Sequence, residues 1–347
     1  MKSLMLVLLA ASASTGIAAA ATPKNALGAV AVSPDGTMVI AAGDNRVLYV
    51  VDPVTLEVKQ RVLIGVNPQE AVFSKDGGTL AIWDTDGTIS FLSSADWTVK
   101  ATVTDAEAIA IAADADVVAA LGSAGYGDTP MTPVTIYALS DGSKKAESQI
   151  PGKGSSIVAA ADGSAFAVLT ERVESEAEAK AEVPADLKDI VKDEFEQRHD
   201  GYVSEVVRLD AAGKETGRSP TWFGTYDSMG GSVSEGTAYF AGYSNKNLKV
   251  AADGTSSLFA MPGSYLYGFG VSRDGKTFAG GSLRDGGLYS IVDGAGKTFE
   301  IDSLEGWPEY FEGFGFGPDG AVYGGTTAYR LIHVGADGTI KTSKPIF

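Results

Sequence analysis

Three tyrosines each stand nine residues ahead of an acidic turn residue: Tyr226 before Glu235, Tyr265 before Asp274 and Tyr310 before Asp319. Around them lie Trp222, Phe223, Tyr267, Trp307 and Phe311, with the acids Asp227, Glu305, Glu309 and Glu312 close by. Rings with a hydrogen-bonding tip beside carboxylates suit recognition of a cationic, sugar-like or protein ligand. The rival role for such rings is mechanical, filling the wedge between diverging sheets. Elsewhere the count of nine reaches Ala26, Asn67, Asp105 and Lys153. The last three supply polar groups to a binding site or to a hydrolase.

Other motifs carry less. Gly315-Phe316-Gly317-Pro318-Asp319-Gly320 matches G-x-G-x-x-G by letter, yet Ala321-Val322-Tyr323 follows where a dinucleotide site needs a helix N-terminus. Asp84-Thr85-Asp86-Gly87 opens like a calcium loop, but its twelfth position is Ala95 rather than a bidentate glutamate. Neither G-x-S-x-G nor H-E-x-x-H occurs. His199 and His333 are too few for a common zinc or copper site, and the chain has no cysteine. No metal or cofactor is expected.

The elements that must hold these residues follow from a repeat. Turn residues at 35, 76, 114, 162, 235, 274 and 319 are flanked by apolar segments, with steps of 41, 38, 48, 73, 39 and 45. A second track, Asp52, Asp96, Asp141, Asp210, Asp253, Asp293 and Asp337, has steps of 44, 45, 69, 43, 40 and 44. Two strand-turn-strand units per period make four strands, which is one propeller blade. Seven copies predict an all-β, seven-bladed β-propeller over residues 22–347. Both ends read as whole blades, so no strand exchange is expected where the ring closes.

The long step has a cause within residues 171–200, where 11 acidic and 5 basic residues gather. Pro184, followed by Leu187, Ile190, Val191 and Phe195 at helical spacing, predicts a helical, acidic insertion between the second and third strands of blade 4. It should share a rim with the aromatic arc. At the N-terminus, Lys2, the apolar run Leu4–Ala11 and the small residues through Ala21 form a secretory signal over residues 1–21. The mature protein is expected in the periplasm or secreted. Its net charge of −17 disfavours nucleic acid as a partner, and no later segment is long and apolar enough for a membrane span.

Gly65-Val66-Asn67-Pro68 through Phe73-Ser74-Lys75-Asp76-Gly77 to Thr79-Leu80-Ala81-Ile82 resembles the YVTN-type propeller repeat. So does Val32-Ser33-Pro34-Asp35-Gly36 with Val47–Asp52 and Thr55-Leu56-Glu57. The likeness covers the first two blades, about residues 26–103, and thins to the turn skeleton later. It implies a fold shared by lactonase-like enzymes, amine dehydrogenase heavy chains and non-enzymatic binding proteins, so function must come from the site.

The leading reading is an exported propeller that binds a ligand or protein through the aromatic, acidic rim of blades 5–7. One alternative is a lactone-cleaving hydrolase using channel groups such as Asn67, Asp105 and Lys153, against which the lack of a channel histidine counts. The other is a scaffold subunit of a periplasmic redox complex. With no convincing metal loop in the sequence, the melting temperature should fall only slightly in strong chelator. A drop beyond about 10 °C in a thermal scan would reveal a structural ion.

Overall fold

The computed structural model describes residues 27–127, 129–174, 201–227, 236–242, 247–259, 266–272, 277–282, 288–292, 295–302 and 309–346. The signal segment, most of the acidic insertion, His199, Ala26, Tyr265, Glu305 and Trp307 lie outside the described residues.

The chain is an all-β propeller of four-stranded antiparallel blades, each built from strands consecutive in sequence. The first blade holds β1 (Ala29–Val32), β2 (Val39–Ala42), β3 (Val47–Val51) and β4 (Val58–Leu63). The second holds β5 (Pro68–Phe73), β6 (Thr79–Asp84), β7 (Ile89–Ser93) and β8 (Val99–Val103). Next come β9 (Ala108–Ala112), β10 (Val117–Leu121), β11 (Met131–Ala138) and β12 (Lys144–Pro151). The fourth blade holds β13 (Gly154–Ala159), β14 (Ala165–Val173), β15 (Gly201–Leu209) and β16 (Glu215–Arg218), with β17 (Trp222–Phe223) added to β15. A further sheet holds β18 (Tyr226–Asp227), β19 (Ala238–Gly242), β20 (Asn247–Val250) and β21 (Ser256–Phe259). It is followed by β22 (Leu266–Val271), β23 (Thr277–Ser282), β24 (Leu288–Val292) and β25 (Ala295–Phe299). The last blade is β26 (Phe311–Phe316), β27 (Val322–Thr326), β28 (Leu331–Val334) and β29 (Ile340–Thr342). Six blades have inner strands of four to six residues, whereas β18 has two.

The turns explain why the sequence breaks where it does. Ser33 Oγ donates to Asp35 Oδ1 at 2.6 Å and accepts the Met38 amide at 3.0 Å. Ser74 and Asp76 repeat this, with Thr79 supplying the amide at 2.9 Å. Gly36 and Gly77 take the required positive φ, +70° and +73°. Second-track aspartates seal the other hairpin: Asp52 Oδ1 accepts the amides of Val54 and Thr55, and Asp337 Oδ1 that of Thr339. These bonds hold the Asp35, Asp52, Asp76 and Asp337 carboxyls below the usual range. At the degenerate repeat, a single 3-10 turn over Ala113–Ala115 and a left-handed Asp116 replace the Asp-Gly pair. The Asp84 segment is likewise a turn, its Oδ1 accepting the Asp86 and Thr88 amides.

Neighbouring blades share cores, and so do the last and the first, where Leu27, Val30 and Tyr49 pack with Tyr323, Leu331 and Ile346. Small residues sit where the blades converge, such as Ala110, Ala119, Ala159 and Ala167 between the third and fourth. The seam is also latched by side chains. Tyr323 Oη donates to the Pro53 carbonyl at 3.3 Å, Lys341 Nζ to that of Val54 at 3.3 Å, and Tyr329 Oη to the Asp44 carboxylate. No strand crosses the seam among the described residues.

Two expectations change at the acidic insertion. Glu171, Arg172 and Val173 are not part of a helical excursion but continue β14, opposite Val203, Tyr202 and Gly201. Ladder pairing satisfies their backbone groups, which a loop would leave to solvent. The helical reading of the remainder, residues 175–200, lies outside the described residues. Trp222 and Phe223, expected in the aromatic arc, form β17, which pairs them with Ser204 and Val203.

Gly313 of β26 lies so close to β1 that a Cβ there would collide with the Gly28 carbonyl oxygen, a backbone atom that cannot step aside. Gly313→Ala should therefore cost about 3 kcal/mol. Gly77→Ala, which has ordinary space but a strained φ, should cost about 1 kcal/mol. Urea unfolding midpoints of the two variants check the ranking.

Candidate functional site

The inner strands surround a cavity of 960 Å³ lined from β1, β5, β9, β13, β22 and β26. What aims side chains into it is a recurring irregularity. In β5, Pro68 faces Asp84 and Glu70 faces Trp83, leaving Gln69 extra. In β13, Gly154 faces Leu169 and Ser156 faces Val168, leaving Ser155 extra. In β26, Phe311 faces Thr326 and Gly313 faces Gly325, leaving Glu312 extra. The register of β22 shifts at the same place, between Leu266 and Phe269, around Tyr267. Ahead of β9, the Glu107 amide bonds the Leu121 carbonyl although Leu121 already faces Ala108. A bulge kinks its strand and re-aims one side chain out of the ladder. Gln69, Glu107, Ser155 and Glu312 accordingly line the cavity, with Gly28 at the matching point of the first blade.

Four acids line the cavity, Glu70, Glu107, Glu312 and Asp114, and no lysine, arginine or histidine does so among the described residues. Glu107 accepts a hydrogen bond from Ser123 Oγ, and Ser155 Oγ lies 2.9 Å from Thr170 Oγ1. Glu70 and Glu312 have no side-chain partner among the described residues, and burial pushes each carboxyl up to about 7. Trp83, opposite Glu70, anchors its indole by donating from Nε1 to the Ala106 carbonyl at 2.9 Å. The walls between are apolar, including Ala110, Ile111, Val72 and Phe316.

No protein-family model matches the chain, and no curated protein does. The site therefore has to be read from its own geometry.

The aromatic arc is distributed differently from the expectation. Tyr226 is buried in the core between the fourth blade and the β18–β21 sheet. Its hydroxyl does not reach the channel but donates to the Phe223 carbonyl at 3.2 Å, and burial raises its pKa. Phe311 is also buried, stacked on Phe314 with ring centroids 5.3 Å apart. Both fill wedges. Trp222 packs on the same core as Tyr226, with Nε1 bonded to Ser256 Oγ at 2.9 Å, and Phe223 packs against Val173 and Val203. Tyr310 is half-buried, its amide held by Thr327 Oγ1 at 3.1 Å. Tyr267 lies in β22, its side chain outside the described set, as are Tyr265 and Trp307.

Of the acids beside the arc, Glu309 is committed to structure. It is buried, and both its oxygens bond Arg330, with Thr326 Oγ1 a further donor. Arg330 also bonds the Asp302 carbonyl at 2.5 Å, tying together the two sides of the connection into β26. Asn67 precedes β5 with a buried Oδ1 that has no partner among the described residues, while its carbonyl accepts the Thr85 amide at 3.2 Å. Asp105 sits in a left-handed turn with φ +67°. Among the described residues no three of His, Cys, Asp or Glu come close enough to hold a metal ion.

Sequence reasoning missed Gln69, Glu70, Glu107 and Ser155 because it counted to the first residue of each inner strand. The channel position is two residues later, where the bulge falls. Extending the same count by two along the first track returns Gly28, Gln69, Glu107, Ser155, Ser228, Tyr267 and Glu312.

The two raised carboxyls set a pH dependence. Their folded pKa of about 7 exceeds the reference 4.5, so the native state holds protons that the unfolded chain has released between those values. Their contribution to stability is complete below about pH 4.5 and declines as pH rises towards 7. Melting temperatures from pH 5 to 8 should fall for the natural chain and fall less for the Glu70→Gln/Glu312→Gln double variant.

Proposed function

We propose that this protein is an exported, seven-bladed propeller of YVTN type that binds a small ligand at the mouth of its central channel. The observation that carries the reading is the bulge repeated at the equivalent position of β5, β13 and β26, which delivers Gln69, Ser155 and Glu312 to a single cavity. Bulges concentrate where a fold re-aims side chains for function, and cavities of this volume are typical ligand sites. Sevenfold closure is supported by the β18–β21 sheet sharing a core with the sheet on either side of it. Export is supported by the charged-then-apolar N-terminus. On this reading, the half-buried Tyr310 of the aromatic rim borders the mouth.

A second reading, a hydrolase, draws on the raised carboxyls of Glu70 and Glu312, since an acid–base group works best near its own pKa. Native mass spectrometry of protein recovered from the exporting cell separates the accounts. A bound small molecule should be retained by the natural chain and by Tyr310→Ala, and lost on plugging the mouth with Ser155→Trp. Retention in Ser155→Trp with loss in Tyr310→Ala would move the site to the rim. Chemical conversion of the recovered molecule by fresh protein would favour the hydrolase.

A further inference from the structure

We propose that the channel mouth selects a monovalent organic cation with an apolar body: an ammonium head taken by carboxyls from separate blades, with its body against the apolar strand walls. The inference rests on the channel being the ligand site and adds the class of ligand. Charge argues for a cation, since the lining residues include Glu70, Glu107 and Glu312 and no base among those described, the fourth acid, Asp114, being paired with Lys75 at 3.3 Å. In a low-dielectric cleft such one-sided charge repels anions and concentrates cations.

Spacing argues against a small hard ion. Calcium needs six to eight oxygens converging at about 2.4 Å, whereas no three acidic or imidazole groups converge among the described residues. A diffuse cation has no such requirement and can be met by carboxyls spread round a ring. Glu70 and Glu312 are available, having no side-chain partner among the described residues, and Gln69 and Ser155 stand at the same level. Trp83 adds an aromatic surface opposite Glu70, favourable to an organic cation. Beyond this polar ring the wall is alanine, valine, isoleucine and phenylalanine. Such a wall rewards burying a hydrocarbon and offers little to a sugar, whose hydroxyls would lose their partners.

The environment of the carboxyls also dictates a linkage to protons. Of the elements packed against β5, β6 carries only the acid Asp84 and β1 carries no ionisable residue, and Glu107 lines the same cavity. Against β26, β1 and β23 again carry none, while β22 and β27 offer only Tyr267 and Tyr323. Among the described residues no fixed cation lines the cavity beside Glu70 or Glu312. An entering ammonium group should therefore displace protons from them near neutral pH.

Calorimetric titration of the full chain with 2-phenylethylammonium, its neutral isostere 2-phenylethanol and the anion phenylacetate tests this. At pH 8 the ammonium should bind at least tenfold tighter than the alcohol. It should release protons at pH 6.5, read from heats in two buffers of different ionisation enthalpy, and weaken severalfold at pH 5.5. Glu70→Gln and Glu312→Gln, with folding checked by circular dichroism, should each weaken the ammonium severalfold and leave the alcohol unchanged. Equal binding of alcohol and ammonium, indifference to both glutamine variants, or no ammonium binding at all would overturn the cation. If alcohol or phenylacetate then binds and is lost in Ser155→Trp, the channel reading survives. Ammonium binding that persists in Ser155→Trp would overturn both.

Discussion

The convergence of the inner strands on one axis is the constraint from which the rest of this molecule follows. Sheets that radiate from a centre leave little room inside and a widening wedge outside. Alanine and glycine therefore crowd the inner positions, and aromatics fill the gaps further out. At the seam the demand is strictest: β26 meets β1 backbone to backbone, and Gly313 is the one residue type that fits beside the Gly28 carbonyl. Phe311 occupies the space left by Gly281 and Gly324 in the same way. The glycine–aromatic texture of the C-terminal blades is the imprint of that geometry.

This is why the fold was legible and the site was only half so. Turn chemistry is local: a serine, an aspartate and a glycine within four residues close a hairpin, and two such tracks spell a blade. Tyr226 and Tyr310 were correctly placed at the starts of inner strands, yet strand position does not say which way a side chain points. That direction depends on register with the neighbouring strand, and a single extra residue at Gln69, Ser155 or Glu312 changes it. Glu309 illustrates the same limit. Its partner Arg330 is 21 residues away, so nothing in its own neighbourhood announced a buried ion pair.

The two sets of acids respond to pH in opposite senses. Turn aspartates, stabilised as carboxylates by backbone amides, support the fold above their ordinary pKa and cease to do so as pH falls. Glu70 and Glu312 do the reverse, being easier to bury when protonated. The scaffold's carboxyls are thus settled well below neutrality, while those at the channel remain responsive near it.

A bulged residue has an unusual freedom, because it faces no cross-strand partner and so owes nothing to the ladder. Gln69, Ser155 and Glu312 occupy equivalent places, but an amide, a hydroxyl and a carboxyl stand there without altering the strands that carry them. The mouth of the channel is in effect a row of independent settings, one on each bulged strand. On the proposed ligand-binding reading, substitution at any of them redraws the specificity of the site while leaving the blade beneath it intact. A lineage built on this ring could pass from one class of ligand to another by single steps, each viable as a folded protein.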